Sequence, residues 1–284
     1  DATVAGGAEV MSRVPYWLPS LRWGARMNHT EGLDALIGGL DDPFEGCHMG
    51  ITAENIANRW KISREEQDEY AVESHHRAAQ AIAEGRFQSQ ILPVEVKQRK
   101  QTITFDTDEH VRVGATLEDM AKLKPAFDPE GSVTPGNASG INDAATAVVL
   151  MERRLAEQKG LQPLARLVGY AVAGVEPEIM GIGPVPAVRQ LLEKTGLSIA
   201  DLDVIELNEA FAVQALACIR DLGLPLDRVN PNGSGISLGH PVGATGCLLT
   251  VKALNELKRT GGQRALVTMC IGGGQGIAAI FERI

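Results

Sequence analysis

Asp203-Val204-Ile205-Glu206-Leu207, continued by Asn208-Glu209-Ala210-Phe211 and a helical run to Leu222, is the stretch on which the fold turns. It reads as a strand, Asp203–Leu207, that ends at Asn208 and passes into a helix over Glu209–Leu222. The alternation continues on both sides. Downstream, Ala244–Arg259 reads as a helix stopped by Gly261-Gly262, and Ala265–Cys270 and Ile277–Phe281 read as strands. Upstream, Ala144–Met151 is a strand-like run of small and branched residues, Glu152–Lys159 a helix before Gly160, and Ala165–Ala173 a strand. Pro184–Thr195 has the proline-first, glycine-after signature of a helix. Strands alternating with helices predict an α/β layered fold. The last two strands are joined closely enough through Gly272-Gly273-Gly274 to form a hairpin, so the sheet is predicted to be mixed. A boundary near residue 160 divides the chain into 1–160 and 161–284.

The segment from 12 to about 140 has a different texture. Ala2–Gly7 reads as a strand running into a glycine turn, and residues 12–50 are irregular, with Pro15, Pro19 and Pro43. Helices follow over Thr52–Trp60 and from the capping box Ser63-Arg64-Glu65-Glu66 to about Glu84, with Gly85 as its stop. Val94–Lys97 and Thr102–Phe105 alternate as a hairpin, and Thr116 opens another short helix. This polar, loop-rich stretch reads as a lid or insertion.

Composition excludes several classes. Lys and Arg number 27 against 36 Asp and Glu, a net charge of −9, which argues against binding nucleic acid by bulk electrostatics. No apolar run approaches the ~20 residues of a membrane-spanning helix. The four cysteines, Cys47, Cys218, Cys247 and Cys270, show no CxxC and no metal-ligand spacing, so neither a disulfide framework nor a metal site is expected, and a reducing cytoplasm fits. Glycine is 31 of 284 residues, above the usual ~7%. The chain opens at Asp1 without Met or signal peptide, which reads as processing or as a piece of something longer.

Four segments at strand ends could carry chemistry, the place where α/β proteins put their sites. Gly136-Asn137-Ala138-Ser139-Gly140-Ile141-Asn142-Asp143, taken alone, reads as a loop with Asx turns leading into a strand. Asn208 could be a simple helix cap, or its amide could point into a cleft. His240, framed by Gly239 and Pro241 ahead of a helix, is poorly placed for a core histidine and well placed for a base. The helix N-terminus would favour its neutral form. Cys270 stands at a strand end facing Gly272-Gly273-Gly274. It reads either as a low-pKa thiol beside free backbone N–H groups or as a buried structural cysteine. Gly274-Gln275-Gly276-Ile277-Ala278-Ala279 matches a dinucleotide fingerprint formally, but it leads into a strand rather than a helix and is rejected. Cys218 and Cys247 read as helix packing, and His75-His76 as a solvated helix face.

Asn208-Glu209-Ala210-Phe211, Gly239-His240-Pro241 and Cys270-Ile271-Gly272-Gly273-Gly274, in that order, resemble the thiolase family, and within it the bacterial β-ketothiolase and acetyl-CoA acetyltransferase group of polyhydroxyalkanoate synthesis. The resemblance covers the whole chain. It implies a layered αβαβα architecture of two similar halves, with a loop domain at about 12–140 and a first half that is incomplete here. It implies a ping-pong acyltransferase that cleaves 3-ketoacyl-CoA with CoA, reversibly, with coenzyme A as substrate and no other cofactor. His240 would activate the nucleophilic cysteine and Cys270 would move the proton at the acetyl α-carbon. Asn208 would position a water at the enolate oxygen, and the Gly272 N–H would hold the other oxyanion. Ser139 would contact the pantetheine arm, His48 and Met49 would line the acyl pocket, Phe127 and Phe211 would shape the tunnel, and Arg112 would lie near the adenine. A homodimer or homotetramer is implied.

A thiol is mostly protonated at neutral pH, with a pKa of ~8.5, so such a nucleophile needs a base. The family's nucleophilic cysteine would lie upstream of Asp1, so the 284 residues alone are expected to be inactive and to fold poorly. Ser234, Leu207 and Pro135 depart from common family residues and bear on pocket shape. A non-catalytic CoA-binding or oligomerising remnant is the competing reading. A ketoacyl-synthase-type enzyme would want two histidines at the site and no second cysteine, which Cys270 opposes.

Overall fold

The computed structural model describes residues 1–99 and 101–284. The architecture is carried by β1 (Ala2–Val10), α1 (Met49–Trp60), α2 (Arg64–Ala83), β2 (Asp143–Met151), β3 (Ala165–Gly174), α3 (Pro184–Thr195), β4 (Val204–Leu207), α4 (Ala212–Leu222), α5 (Thr245–Thr260), β5 (Arg264–Ile271) and β6 (Gln275–Arg283).

β4, β5, β6 and β3 form one mixed sheet in that order. β4 and β5 are parallel, with Leu207 opposite Thr268, and β5 turns back into antiparallel β6, with Cys270 opposite Gly276. All of β4 is buried, as expected of a strand covered on both faces. Alternation sends Ile205, Leu207 and Leu266 to one face, where they meet Val188 and Leu191 of α3 and Ala215 and Ile219 of α4. Val204, Ala265 and Val267 face the other way, onto Leu249, Ala253 and Leu257 of α5. Leu191, Leu266 and Ile280 are fully buried, each worth about 1.5–3 kcal/mol of transfer free energy.

Beyond α5 lies a further β layer, the antiparallel pair β1–β2, with Ala5 opposite Val148. The order is therefore helix, sheet, helix, sheet. The glycine turn expected at Gly6-Gly7 is not there, because β1 runs straight through it. The glycines serve close approach instead: a Cβ on Gly7 would stand 2.0 Å from the Gly243 carbonyl oxygen.

The insertion-like stretch contributes α1, α2 and the hairpin Val94–Gln98/Gln101–Phe105. The capping box at Ser63 forms as predicted. α1 starts earlier than expected, because His48 caps it by accepting the Gly50 N–H at 3.0 Å. α4 starts later, at Ala212. Asn208 to Phe211 lie outside the helix, and Phe211 is its extended N-cap residue and bridges to Ala138, so Asn208 is not a helix cap. His75 is not solvated: it is 2% exposed, accepts the Arg112 N–H at 3.2 Å, and lies beside His110. Burial lowers its pKa to about 4.

Among the described residues, one ion pair is buried on both sides within this framework. Glu206 on β4 meets Lys252 of α5 at 2.8 Å, and burial still pushes Glu206 up to about 7. A buried carboxyl whose pKa lies above its unfolded value takes up protons on folding, so its penalty grows as pH rises through that window. Lys252→Ala should therefore cost about 3–5 kcal/mol of unfolding free energy near pH 7.5. The deficit should shrink toward pH 5 as the stranded Glu206 protonates, which urea titration at the two pH values measures.

Candidate active site

The loop between β4-side Asn230 and α5 is built around His240. Gly239 has φ +106°, and a Cβ there would lie 2.4 Å from the Asn142 side chain. That missing atom lets Asn142 Oδ1 accept the His240 N–H at 3.2 Å. The imidazole is held at both nitrogens. Thr245 Oγ1 gives its proton to the Pro241 carbonyl at 2.9 Å, so at 2.7 Å from Nδ1 it can only accept. Nδ1 therefore carries the ring proton, and Nε2 presents a lone pair. That lone pair faces Asn208 Nδ2 at 3.3 Å. Burial lowers the His240 pKa to about 4, against a small opposing pull from Glu9. Burial thus favours the neutral form of the ring.

Asn208 is fully buried at the end of β4, where its N–H donates to the Thr268 carbonyl of β5 at 3.0 Å. Its Oδ1 is buried and has no partner among the described residues. The next residue, Glu209, received no role from sequence reasoning. Its carboxylate is buried and takes four donors: Tyr70 O–H at 3.1 Å and Asn230 Nδ2 at 3.0 Å on Oε1, Ser74 O–H at 2.7 Å and Ile236 N–H at 3.2 Å on Oε2. Asn230 in turn pairs with Leu207, accepting its N–H at 2.9 Å and donating to its carbonyl at 2.8 Å. A glutamate one step beyond a strand-end asparagine was the available signal. A cavity of about 320 Å³ between α2 and α4 has Glu209 in its wall but neither His240 nor Cys270.

Cys270 ends β5, one strand over from Asn208. It packs in an apolar cluster with Ile56, Met180, Val213 and Phe211, which Met49 and Phe127 flank. Burial pushes its thiol up to about 12, which corrects the low-pKa reading. The glycine turn beyond it holds Gly273 at φ +78° and Gly274 at φ +80°. Its N–H groups are not all free, because Gly273 N–H donates to Asp42 Oδ2 at 3.1 Å. Among the described residues the Gly272 N–H has no acceptor.

The wall residues converge on the same place. Met49 Sδ lies 3.8 Å from where a Gly272 Cβ would be. His48 stacks on Phe127 at 4.8 Å, and Phe127 meets Phe211 edge-on at 6.2 Å. Ser139 N–H donates to the Ala210 carbonyl at 3.0 Å, which lays its segment along the Asn208–Phe211 link. Arg112 is exposed and set further out, its N–H on His75. No group of three or more metal-ligand side chains occurs among the described residues, and no helix there is long and apolar enough to cross a membrane.

The thiolase N-terminal-domain family model matches residues 1–154 and the thiolase C-terminal-domain model matches residues 161–283. The chain belongs to the thiolase family. It is 64% identical to the beta-ketothiolase BktB of Cupriavidus necator over 285 residues, covering 100% of this chain and 72% of that protein. It is 51% identical to an acetyl-CoA acetyltransferase of Syntrophomonas wolfei, covering 100% of this chain and 73% of the relative. Among solved structures, the Bacillus anthracis acetyl-CoA acetyltransferase superposes with TM-score 0.97 at 51% identity, covering 100% of this thiolase chain and 72% of that one. Human mitochondrial 3-ketoacyl-CoA thiolase in complex with CoA superposes with TM-score 0.96 at 44% identity, covering 100% and 71%. The fold is the thiolase fold.

The His240 environment has a measurable consequence for this thiolase. Its ring should titrate near pH 4, well below a free histidine, when followed by NMR of the imidazole nitrogens. Because the unfolded ring binds its proton first, near pH 6.5, His240 should cost the native state stability as pH falls from 6.5 toward 4.

Proposed function

We propose that the protein is a β-ketothiolase/acetyl-CoA acetyltransferase: 3-ketoacyl-CoA and CoA give acyl-CoA and acetyl-CoA, reversibly, through an acylated cysteine. The observation that carries this is the His240 lone pair aimed at Asn208, with Cys270 at the end of the neighbouring strand. In the cleavage direction, His240 Nε2 takes the proton from the attacking thiol, whose sulfur bonds the ketone carbon. The bond between that carbon and the α-carbon then breaks, leaving the acyl group on sulfur and the enolate of acetyl-CoA.

A resting thiol suits the protonation of that enolate. Cys270, kept protonated by burial, gives its proton to the enolate carbon. Asn208, through its side-chain amide and a water, acts with His240 at the enolate oxygen. The Gly272 N–H holds the oxyanion of the acyl-enzyme, a contact of the kind worth ~10²–10³-fold in rate. CoA thiol, its proton passing to the Cys270 thiolate, then attacks the acyl carbon; the cysteine sulfur leaves and recovers its proton from His240, and acyl-CoA departs. Met49, His48, Phe127 and Phe211 enclose the acyl chain, Ser139 lies along the pantetheine path, and Arg112 sits at its outer end. Cys218 donates to the Gly181 carbonyl and Cys247 sits against Thr146, so neither is set to carry the acyl group. The reading needs no metal and places the protein in the cytoplasm as a homodimer or homotetramer.

Two substitutions in the full-length protein test the roles. His240→Ala should abolish acylation and condensation together, and retention of more than about a twentieth of either rate would defeat the base assignment. Cys270→Ala should leave acyl-enzyme formation from acetyl-CoA intact while blocking condensation. Equal loss of both would give Cys270 a structural part instead.

A further inference from the structure

Asp42 is fully buried, and no step of the acyl transfer uses it. Its Oδ1 accepts two N–H groups of its own turn, Phe44 at 2.9 Å and Glu45 at 3.0 Å. A simple Asx turn accounts for that oxygen, and asparagine would serve it as well. Oδ2 does something else. It accepts the Gly273 N–H at 3.1 Å from a turn 231 residues away in sequence.

The turn it reaches has no side chains of its own to hold it, and both Gly273 and Gly274 adopt left-handed backbone. It is anchored from outside. Val175 N–H donates to the Gly274 carbonyl at 2.7 Å, and Gln275 Nε2 donates to the Gly272 carbonyl at 3.2 Å. The Gly272 carbonyl and the Gly273 N–H belong to one planar peptide unit. Gln275 holds one edge of that plane and Asp42 the other, which sets the rotation about the adjoining Gly272 bonds and so the aim of the Gly272 N–H. The residues just after Asp42 pair back on its strand, Asp42 with Cys47 and Asp41 with His48, and lead directly into Met49. Met49 stands 3.8 Å from the position of a Gly272 Cβ.

We propose that Asp42 is a positioning residue for this thiolase: its Oδ2 locks the Gly272–Gly273 peptide so that the Gly272 N–H faces the reacting acyl group, and it ties that donor to the His48–Met49 wall of the acyl pocket. This rests on the reading of Gly272 as the oxyanion donor. A carboxylate near a developing oxyanion is electrostatically unfavourable. Its removal would therefore be beneficial if charge alone counted, whereas positioning makes its removal harmful.

Asp42→Asn isolates the contact. The amide keeps an Oδ1 for Phe44 and Glu45 but replaces the Oδ2 acceptor with N–H donors that oppose Gly273. Asp42→Ala, which strips the turn as well, shows what general loosening does. In Asp42→Asn, hydrogen exchange at the Gly273 amide, read by NMR, should accelerate by about tenfold or more. The kcat for thiolysis of acetoacetyl-CoA should fall about 10–100-fold, with KM for CoA within about twofold and the melting temperature close to that of the unsubstituted protein. Unchanged exchange at Gly273, or faster exchange with kcat unchanged or raised, would overturn the proposal while leaving the functional reading intact. No thiolysis by the unsubstituted full-length protein would overturn both.

Discussion

The carboxylate of Glu209 is out of water and satisfied by four donors drawn from separate parts of the chain. Tyr70 and Ser74 come from the insertion-derived helix α2, and Asn230 and Ile236 from the loop that leads to His240. A buried charge of this kind is tolerable only when its hydrogen bonds are complete. Each of those segments is thereby held to the strand end that carries Asn208. Remove the carboxylate and the insertion, the histidine loop and the sheet lose their common anchor. The placement of Asn208 and of the segment leading to His240 depends on this junction and on the parallel pairing of β4 with β5.

Around that anchor, the site is tuned by exclusion of water more than by neighbouring charge. Burial makes the His240 ring reluctant to accept a proton and the Cys270 thiol reluctant to release one. The two shifts run in the same sense, toward uncharged forms at rest. A neutral base and a neutral acid are thus stored at the site, and charge is created only when a substrate brings it.

Much of this was legible in the sequence. The α/β alternation after Ala144, the proline and glycine bounding Pro184–Thr195, and the capping box at Ser63 are local signals, and the structure reproduces them. The segments bearing Asn208, His240 and Cys270 stood out because glycine-framed polar residues at strand ends have few structural uses. What escaped depends on contacts that no local pattern encodes. Gly6-Gly7 looked like a turn because the approach of Gly243 to a strand is invisible from the strand itself. His75 looked solvated because the cover over α2 comes from residues near His110. Glu209 and Asp42 look like ordinary surface acids until distant backbone folds onto them.

Helix α5, which begins five residues after His240, lies between two β layers. Leu249, Ala253 and Leu257 press on the main sheet, and Cys247 sits against Ala5 and Thr146 of the β1–β2 pair. A helix clamped on both sides cannot shift alone. The loop that carries the histidine has no loose end to fray, and its opening is tied to separating two sheets. On heating, loss of the chemistry and loss of the architecture should then be a single event.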